Sequence, residues 1–499
     1  MAVAAGASRG VRRDIAITAA TQASVAVGGL LLYRLLGTKK GAEGVAAYSL
    51  VKQSTIFAWP LVMVGLQTAI PRFVALGRGR AGAVEGYLLA AVSLTGATTV
   101  AVSVLALVSP RSTASLVFGD SGRTELVVPL VLTLVATVGF EVIYGYYRGL
   151  SSFMVANVVR VLGVAAFPVV LLVVLGGRSM GLLISLMAAG LIAGTALVAA
   201  GPLLRAVRRA NRSPVLPAGR TLLDYGYRRI AGDLAAVVLF SVPTILAAHF
   251  VSFHGVAYLS AGLYVLATVS IVFQPIGMVF LPLLARLCAE DFEAARRHVA
   301  QLAACAIHIA IFVTPQLMLF AGVAVRAWLG SDFDNAGTIV AIGVAPAGVY
   351  VFNIVLRSAL DAAAVTAYNS RNNVISLAVA ALAATVSLAT DLAPPLNCIA
   401  WSFSLGVFCL GILTLLSVQR VFRLRPGQFA LPTALALGAL TAAAAWLVDS
   451  ALVPDHHSLG ALLVIVALEL VLATAYVWGL VRAGVTWPAE LRARFLSRG

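Results

Sequence analysis

GVAAYSLVKQSTIFAWPLVMVGLQTAIP, residues 44 to 71, is long and apolar, yet it carries Lys52 and then the polar run Gln53, Ser54 and Thr55. A spanning helix takes about 20 mostly apolar residues, so the stretch can cross a bilayer. Its landmarks recur 211 positions later. Gly44, Val45, Ala46 and Ser49 meet Gly255, Val256, Ala257 and Ser260, Pro71 meets Pro282, and Arg160 meets Arg371 at the same offset. Such a match carries weight only if the offset is also a structural unit, so the spans have to be counted.

The whole chain resembles that stretch. Of its 499 residues 61% are hydrophobic and 11% charged, with a mean hydropathy of +1.00; soluble domains carry about 45–50% apolar and about 25% charged residues. A soluble enzyme is excluded, and no interval between apolar runs holds a globular domain. The net charge of +16 does not indicate nucleic acid, because the cations flank hydrophobic runs instead of clustering on a water-facing surface. They contact the phospholipid bilayer and encode topology. Cys288, Cys305, Cys398 and Cys409 lack metal or disulfide spacing and read as small apolar side chains. Arg9, Arg12 and Arg13 precede a run to Leu36 without a convincing cleavage site, which reads as a retained first helix.

Fourteen spans result: 15–36, 45–70, 86–108, 126–147, 153–175, 180–204, 230–250, 256–281, 298–324, 337–359, 372–390, 396–418, 430–448 and 459–481. With the N-terminus cytoplasmic, 26 of the 35 Lys and Arg residues fall inside, seven fall outside, and Lys52 and Arg160 lie within spans. This bias fixes both termini inside and requires an even number of helices. Only the first outer loop, with Arg34, Lys39 and Lys40, breaks the rule, as a local exception or because those cations have an outside role. The offset of 211 equals a block of six helices. The predicted fold is therefore an all-α polytopic membrane protein with two pseudo-symmetric six-helix lobes, 14–210 and 230–420. A cytoplasmic linker at 211–229 joins them, and two additional helices follow at 430–482.

Several segments point to one family. GAEGVAAYSL (41–50), VGLQTAIPRFVA (64–75), YYRGLSSFMVANVVRVLGV (146–164), LLDYGYRRIAGDLA (222–235), FQPIGMVFLPLLARL (273–287) and VLRSALDAAAVTAYNSRNNV (355–374) resemble, in order and spacing, the multidrug/oligosaccharidyl-lipid/polysaccharide (MOP) exporter superfamily. Within it the pattern is similar to Wzx-type polysaccharide flippases and, more distantly, to lipid II flippases, whose central cavity is lined by basic residues.

Charges inside spans are the candidate site, since a charged residue at mid-bilayer costs about 2.5–3.5 kcal/mol on insertion scales. Lys52 belongs to a polar stretch that suits a cavity wall. Arg160, Glu141 and the repeat-related Arg371 are placed on the walls of a cytoplasmic vestibule with Arg148, Arg229 and Arg357 at its mouth. Against this stand an ion pair between Glu141 and Arg160, and arginines that reach out to lipid phosphates. Glu141 and Asp233 are the coupling candidates, Asp233 serving equally as a helix-start residue. Glu469 stands alone in the last span, His308 reads as a hydrogen-bonded core residue, and His249, His254, His456 and His457 as outer surface residues.

The chain carries no HExxH, GxSxG or P-loop motif, no metal site and no soluble nucleotide-binding domain, so neither an enzyme nor a cofactor is expected. Three readings remain. The first is a flippase of the bacterial plasma membrane that moves a lipid-linked anionic oligosaccharide, on polyprenyl pyrophosphate, to the outer leaflet for surface polysaccharide assembly, beside a polymerase or glycosyltransferases. The second is an H⁺- or Na⁺-coupled multidrug or metabolite antiporter; the third is a non-transporting scaffold of a synthase complex.

Overall fold

The structure, a computed structural model, describes residues 2–209, 215–227, 230–363, 367–452 and 459–485. The first helices are α1 (Ala2–Met63), α2 (Leu66–Leu76), α3 (Ala83–Val108), α4 (Pro110–Phe118), α5 (Val127–Gly149), α6 (Phe153–Arg160), α7 (Phe167–Leu175) and α8 (Met180–Arg208). They are followed by α9 (Val215–Gly226), α10 (Ile230–Phe250), α11 (Phe253–Glu290), α12 (Phe292–Leu319), α13 (Ala321–Leu329), α14 (Gly337–Val344) and α15 (Ala347–Ala363). The series closes with α16 (Tyr368–Ala389), α17 (Pro395–Phe422), α18 (Leu431–Leu452) and α19 (Leu459–Arg482).

Thirteen stretches among the described residues are long and apolar enough to cross a membrane. The first, Ala19–Met63, is a double one. Gly41, at φ 66° and ψ −166°, takes a backbone conformation essentially reserved for glycine and splits α1 into two arms. Counted that way, each of the fourteen expected spans coincides with helix. Side chains such as Leu105, Val174, Leu197, Leu382 and Leu470 are exposed because they face lipid, where burial against protein gains little. The chain is a multi-pass membrane protein.

Two compact units divide the chain, Met1–Ser260 and Ala261–Gly499, and the boundary falls inside α11. Packing explains why α10 joins the first unit, since it lies along α1. The core of the first unit comes from α1, α2, α3, α5, α8 and α9, with Met63, Leu66, Ile70, Leu134, Ile143 and Leu222 at its centre. Within the expected linker 211–229, residues Val215–Gly226 form a helix of their own. Its glycine end is wedged in place: a Cβ on Gly226 would strike the carbonyl of Val64, and one on Gly65, at φ +74°, would strike the carbonyl of Gly226. Arg72 Nη1 donates to the Tyr225 hydroxyl at 3.2 Å, and Arg209 pairs with Glu85 at 2.7 Å. The prolines and arginines in and around this segment concealed an amphipathic helix that docks on α2 and α3.

The second unit is organised around α12, α15 and α17, where Val299, Ile307, Phe352, Leu356, Val418 and Phe422 form a core. Packing of α18 and α19 is against α12. Buried His308 sits where they meet: its Nε2 lies 2.8 Å from the Phe429 carbonyl, and the Tyr476 hydroxyl donates to the His308 carbonyl at 3.1 Å. His308 is a hydrogen-bonded core residue, and all four cysteines are free thiols.

Candidate functional site

Four helices of the first unit enclose a cavity of about 250 Å³. The second arm of α1 contributes Tyr48, Val51, Lys52, Thr55 and Ile56, and α5 contributes Thr133, Ala136, Thr137, Phe140 and Glu141. Both sets follow the three-and-four spacing that keeps side chains on one face of an α-helix. From α8 come Ile184, Met187, Ala188 and Leu191.

The fourth wall keeps that spacing, with Arg160, Gly163, Val164 and Pro168 lining the cavity. It is built across a π-helical turn, Val161–Ala166, between α6 and α7. Arg160 is the last residue before this turn.

Lys52, Glu141 and Arg160, three charges flagged by the sequence, therefore share one cavity. Lys52 lies nearer the middle of its helix than the sequence reading placed it, because the arm begins at Gly41 and not at residue 45. Its Nζ lies 5.6 Å from the ring centre of Tyr33 and 5.9 Å from that of Tyr48, and the Tyr33 hydroxyl hydrogen-bonds Ser49 at 3.1 Å. Arg160 approaches Tyr144: Nη1 is 3.4 Å from the hydroxyl and the guanidinium carbon 5.5 Å from the ring centre. Arg148, exposed, lies 5.6 Å from the same ring. Among the described residues no ion pair within 4 Å joins Glu141 to either arginine. Two cations, one carboxyl group and aromatic faces, with Thr55, Thr133 and Thr137 beside them, make a net-positive pocket able to hold an anion bidentately through Arg160.

Tyr48 and Tyr144 were missed by the sequence reading, although each stands three or four residues from a flagged charge on its own helix. Other expected residues lie elsewhere. Arg371 and Arg357 belong to the second unit and are exposed there; the Arg371 guanidinium lies 4.9 Å from the Tyr368 ring, and the Arg357 carbonyl accepts from Asn369 at 3.1 Å. Asp233 accepts a hydrogen bond from Gln67 Nε2 at 3.2 Å in the first turn of α10. Arg229, His456 and His457 fall outside the described residues.

The anomalous outer cations have a structural role. Lys39 Nζ donates to the carbonyls of Leu172 and Val173, each at 3.1 Å, and Lys40 Nζ to that of Arg178 at 2.6 Å. The last carbonyls of a helix lack intrahelical donors and carry partial negative charge, so these lysines cap the end of α7 and the turn that follows.

A scan of protein-family models finds no match to the chain, and a search of curated proteins finds none either. Solved structures do match. The chain is similar to lipid II flippase MurJ in an inward closed conformation, with 12% identity and a TM-score of 0.67 over 92% of this chain and 98% of that one. It is equally similar to the inward-facing form of a multidrug resistance MATE family transporter of the MOP superfamily, with 14% identity and a TM-score of 0.67 over 81% of this chain and 98% of that one. The eukaryotic MATE transporter AtDTX14 matches at 14% identity and a TM-score of 0.52 over 86% and 98% of the two chains. At such identities the likeness is one of fold alone, the fold that these transporter structures share.

Proposed function

We propose that this chain is a flippase that carries a polyprenyl-pyrophosphate-linked oligosaccharide from the inner to the outer leaflet of a bacterial plasma membrane, for cell-surface polysaccharide assembly. Both termini face the cytoplasm, and a polymerase or glycosyltransferases receive or supply the glycan. The observation that supports this reading is the cationic cavity of the first unit. Lys52 and Arg160 occupy positions where a charge is expensive unless it meets water or an anion, and aromatic rings hold both. Basic residues concentrate on the predicted inner face, where the anionic head group starts. Moving an anion outward across an inside-negative membrane is downhill by about 2.3 kcal/mol per charge per 100 mV, so no acidic coupling residue is required.

One observation favours a second reading. Glu141 lines the cavity without an ion pair to Arg160 or Arg148, which leaves it open to bind a proton, Na⁺ or a cationic substrate, as the H⁺- or Na⁺-coupled antiporter requires. Substitution separates the two. In a complementation assay for surface polysaccharide, with membrane expression measured in parallel, the flippase loses export when Lys52 and Arg160 are changed to Gln and tolerates Glu141→Gln. An antiporter does not complement this assay, and in a drug-efflux assay it loses transport on Glu141→Gln and tolerates the other two changes; full export in all three variants at normal expression removes this cavity from the transport path.

A further inference from the structure

A second cavity of the first unit, of about 470 Å³, lies between α3, α5 and α8. The α5 residues that line it, Val135, Gly139 and Val142 among them, recur at three- and four-residue spacing on the helix face opposite Thr133, Thr137 and Glu141 of the cationic cavity. Gly96, Gly139 and Ala196 add little bulk, and Val100 and Val104, 62% and 51% exposed, form a rim on the lipid side. Among the described residues the lining holds no charged side chain. Its polar groups are four hydroxyls: Thr95, Thr99 and Ser103, at every fourth residue of α3, and Thr195 of α8.

A serine or threonine inside a helix can give its proton to the carbonyl four residues back. Thr95 and Thr99 do so, at 2.8 Å to the Ala91 carbonyl and 2.6 Å to that of Thr95. Ser103 and Thr195 do not: they are 9% and 6% exposed, and neither oxygen has a hydrogen-bond partner among the described residues. The ion pair between Glu85 and Arg209 levels the two antiparallel helices. Thr195 stands fourteen residues before Arg209 and Thr99 fourteen after Glu85, so those two are level, and Ser103 lies one turn, about 6 Å, beyond them.

Two unspent donors one turn apart, in a chamber open to hydrocarbon, cost free energy until an acceptor reaches them. A saturated tail supplies none. A charged head group would enter without a counterion. A lipid alcohol meets one hydroxyl and leaves the other, and the carbonyls of a transmembrane helix from another chain are spent within that helix. A para-quinone has two carbonyl oxygens at opposite ends of one flat, neutral ring and no donor to go unmatched. When it carries a hydrocarbon chain, the chain leaves over Val100 and Val104 into the bilayer. We infer that the cavity between α3, α5 and α8 is a binding site for lipophilic para-quinones, held by hydrogen bonds from Ser103 and Thr195 to the two ring carbonyls. Its volume lies within the range of about 300–1,000 Å³ usual for small-molecule sites. The site is separate from the cationic cavity and independent of the flippase assignment.

Equilibrium binding to the full chain in phosphatidylcholine nanodiscs tests this. The probes are a geranyl-substituted para-naphthoquinone and the geranyl naphthalene that lacks both carbonyls, with empty nanodiscs to measure partitioning. The quinone binds saturably and at least tenfold more tightly than the hydrocarbon. Ser103→Ala and Thr195→Val each lower its affinity at least threefold and leave that of the hydrocarbon unchanged. Thr99→Val makes the same change of shape at a hydroxyl already spent on its own helix, and leaves quinone affinity within twofold of wild type. Thermal unfolding of each variant in the same nanodiscs establishes that it is folded. Phosphatidylcholine is present throughout in excess, so a cavity that prefers its ester carbonyls shows no saturable quinone binding. That result, equal affinity for the two probes, or equal losses in folded Thr99→Val and Thr195→Val overturns the proposal.

Discussion

Two regions related by the 211-residue offset were expected to resemble each other, and at the positions that carry charge they differ. In the first unit the relevant residues are Lys52, Glu141, Tyr144 and Arg160, which share a cavity or face it. Their counterparts at the same offset in the second unit are Leu263, Phe352, Val355 and Arg371. Leu263, Phe352 and Val355 are 5%, 6% and 2% exposed and belong to an apolar core, while Arg371 is exposed. The paired arginines also sit in different local structures. Arg160 precedes a π-helical turn, whereas Arg371 lies in the first turn of an uninterrupted α-helix. The offset thus pairs charged, cavity-lining positions of the first unit with buried apolar positions of the second.

The largest effect is expected where that asymmetry is broken by force. Leu263→Lys places in the second unit the charge that Lys52 carries in the first, but without tyrosine rings arranged around it. Burying an unpaired lysine in a membrane core costs about 2.5–3.5 kcal/mol on insertion scales, so the variant should give little folded protein by fluorescence-detected size exclusion. The converse change, Lys52→Leu, should leave folded yield unchanged or raised. If Leu263→Lys folds normally, the second copy also holds a water-accessible cavity and the contrast fails.

Much of this architecture was legible beforehand, for physical reasons. A bilayer demands long apolar helices and biased loop charges, so the fourteen spans could be read from periodic hydrophobicity and from Lys and Arg counts. The cost of intramembrane charge likewise singled out Lys52, Glu141 and Arg160. What stayed hidden depends on tertiary context. Tyr48 and Tyr144 are ordinary residues until a cation is packed against them, and the Gly163 and Pro168 that accompany the π-helical turn also occur in regular membrane helices. Residues Val215–Gly226 looked like a connector because prolines and arginines crowd the segment around them. Lys39 and Lys40 looked misplaced because the carbonyls they cap lie more than 130 residues away in sequence.

Next in size are the substitutions inside the cavity. Lys52→Gln and Arg160→Gln remove attraction for phosphate without adding a buried charge, and each should reduce export of the lipid-linked glycan about tenfold or more at normal expression. Such a loss corresponds to about 1.4 kcal/mol or more, within reach of one charge-assisted hydrogen bond. Arg160→Lys should recover only part of the activity, since it keeps the charge and loses the planar fork. A smaller effect is expected at the repeat-related position: Arg371→Gln, on an exposed arginine, should cost less than half of what Arg160→Gln costs on a logarithmic scale of export. Equal losses would place the two arginines on one transport path and restore the symmetry that their surroundings argue against.

The finest contrast concerns Tyr144, whose counterpart Val355 is buried in the second core. Two separate features could make the tyrosine matter. One is the hydroxyl, and at 3.4 Å from Arg160 Nη1 it lies beyond the usual 2.7–3.2 Å range for N–H···O bonds, so it contributes little. The other is the ring, which has the Arg160 and Arg148 guanidinium groups within 5.5 and 5.6 Å of its centre, a separation at which cation–π attraction is worth about 0.5–1 kcal/mol at partly exposed sites. Tyr144→Phe keeps the ring and should leave export within about twofold of wild type. Tyr144→Val, which installs the residue of the second unit, removes the ring from between two like charges and should lower export by about three- to tenfold, with Glu141 alone left to offset them. Because valine is the second copy's own residue and is compatible with a membrane helix, folded yield should be unchanged, and the loss can be assigned to the arginines' positions. Equal activity in the Phe and Val variants would show that the arginines are positioned without Tyr144, and would confine the functional asymmetry between the two units to Lys52, Glu141 and Arg160.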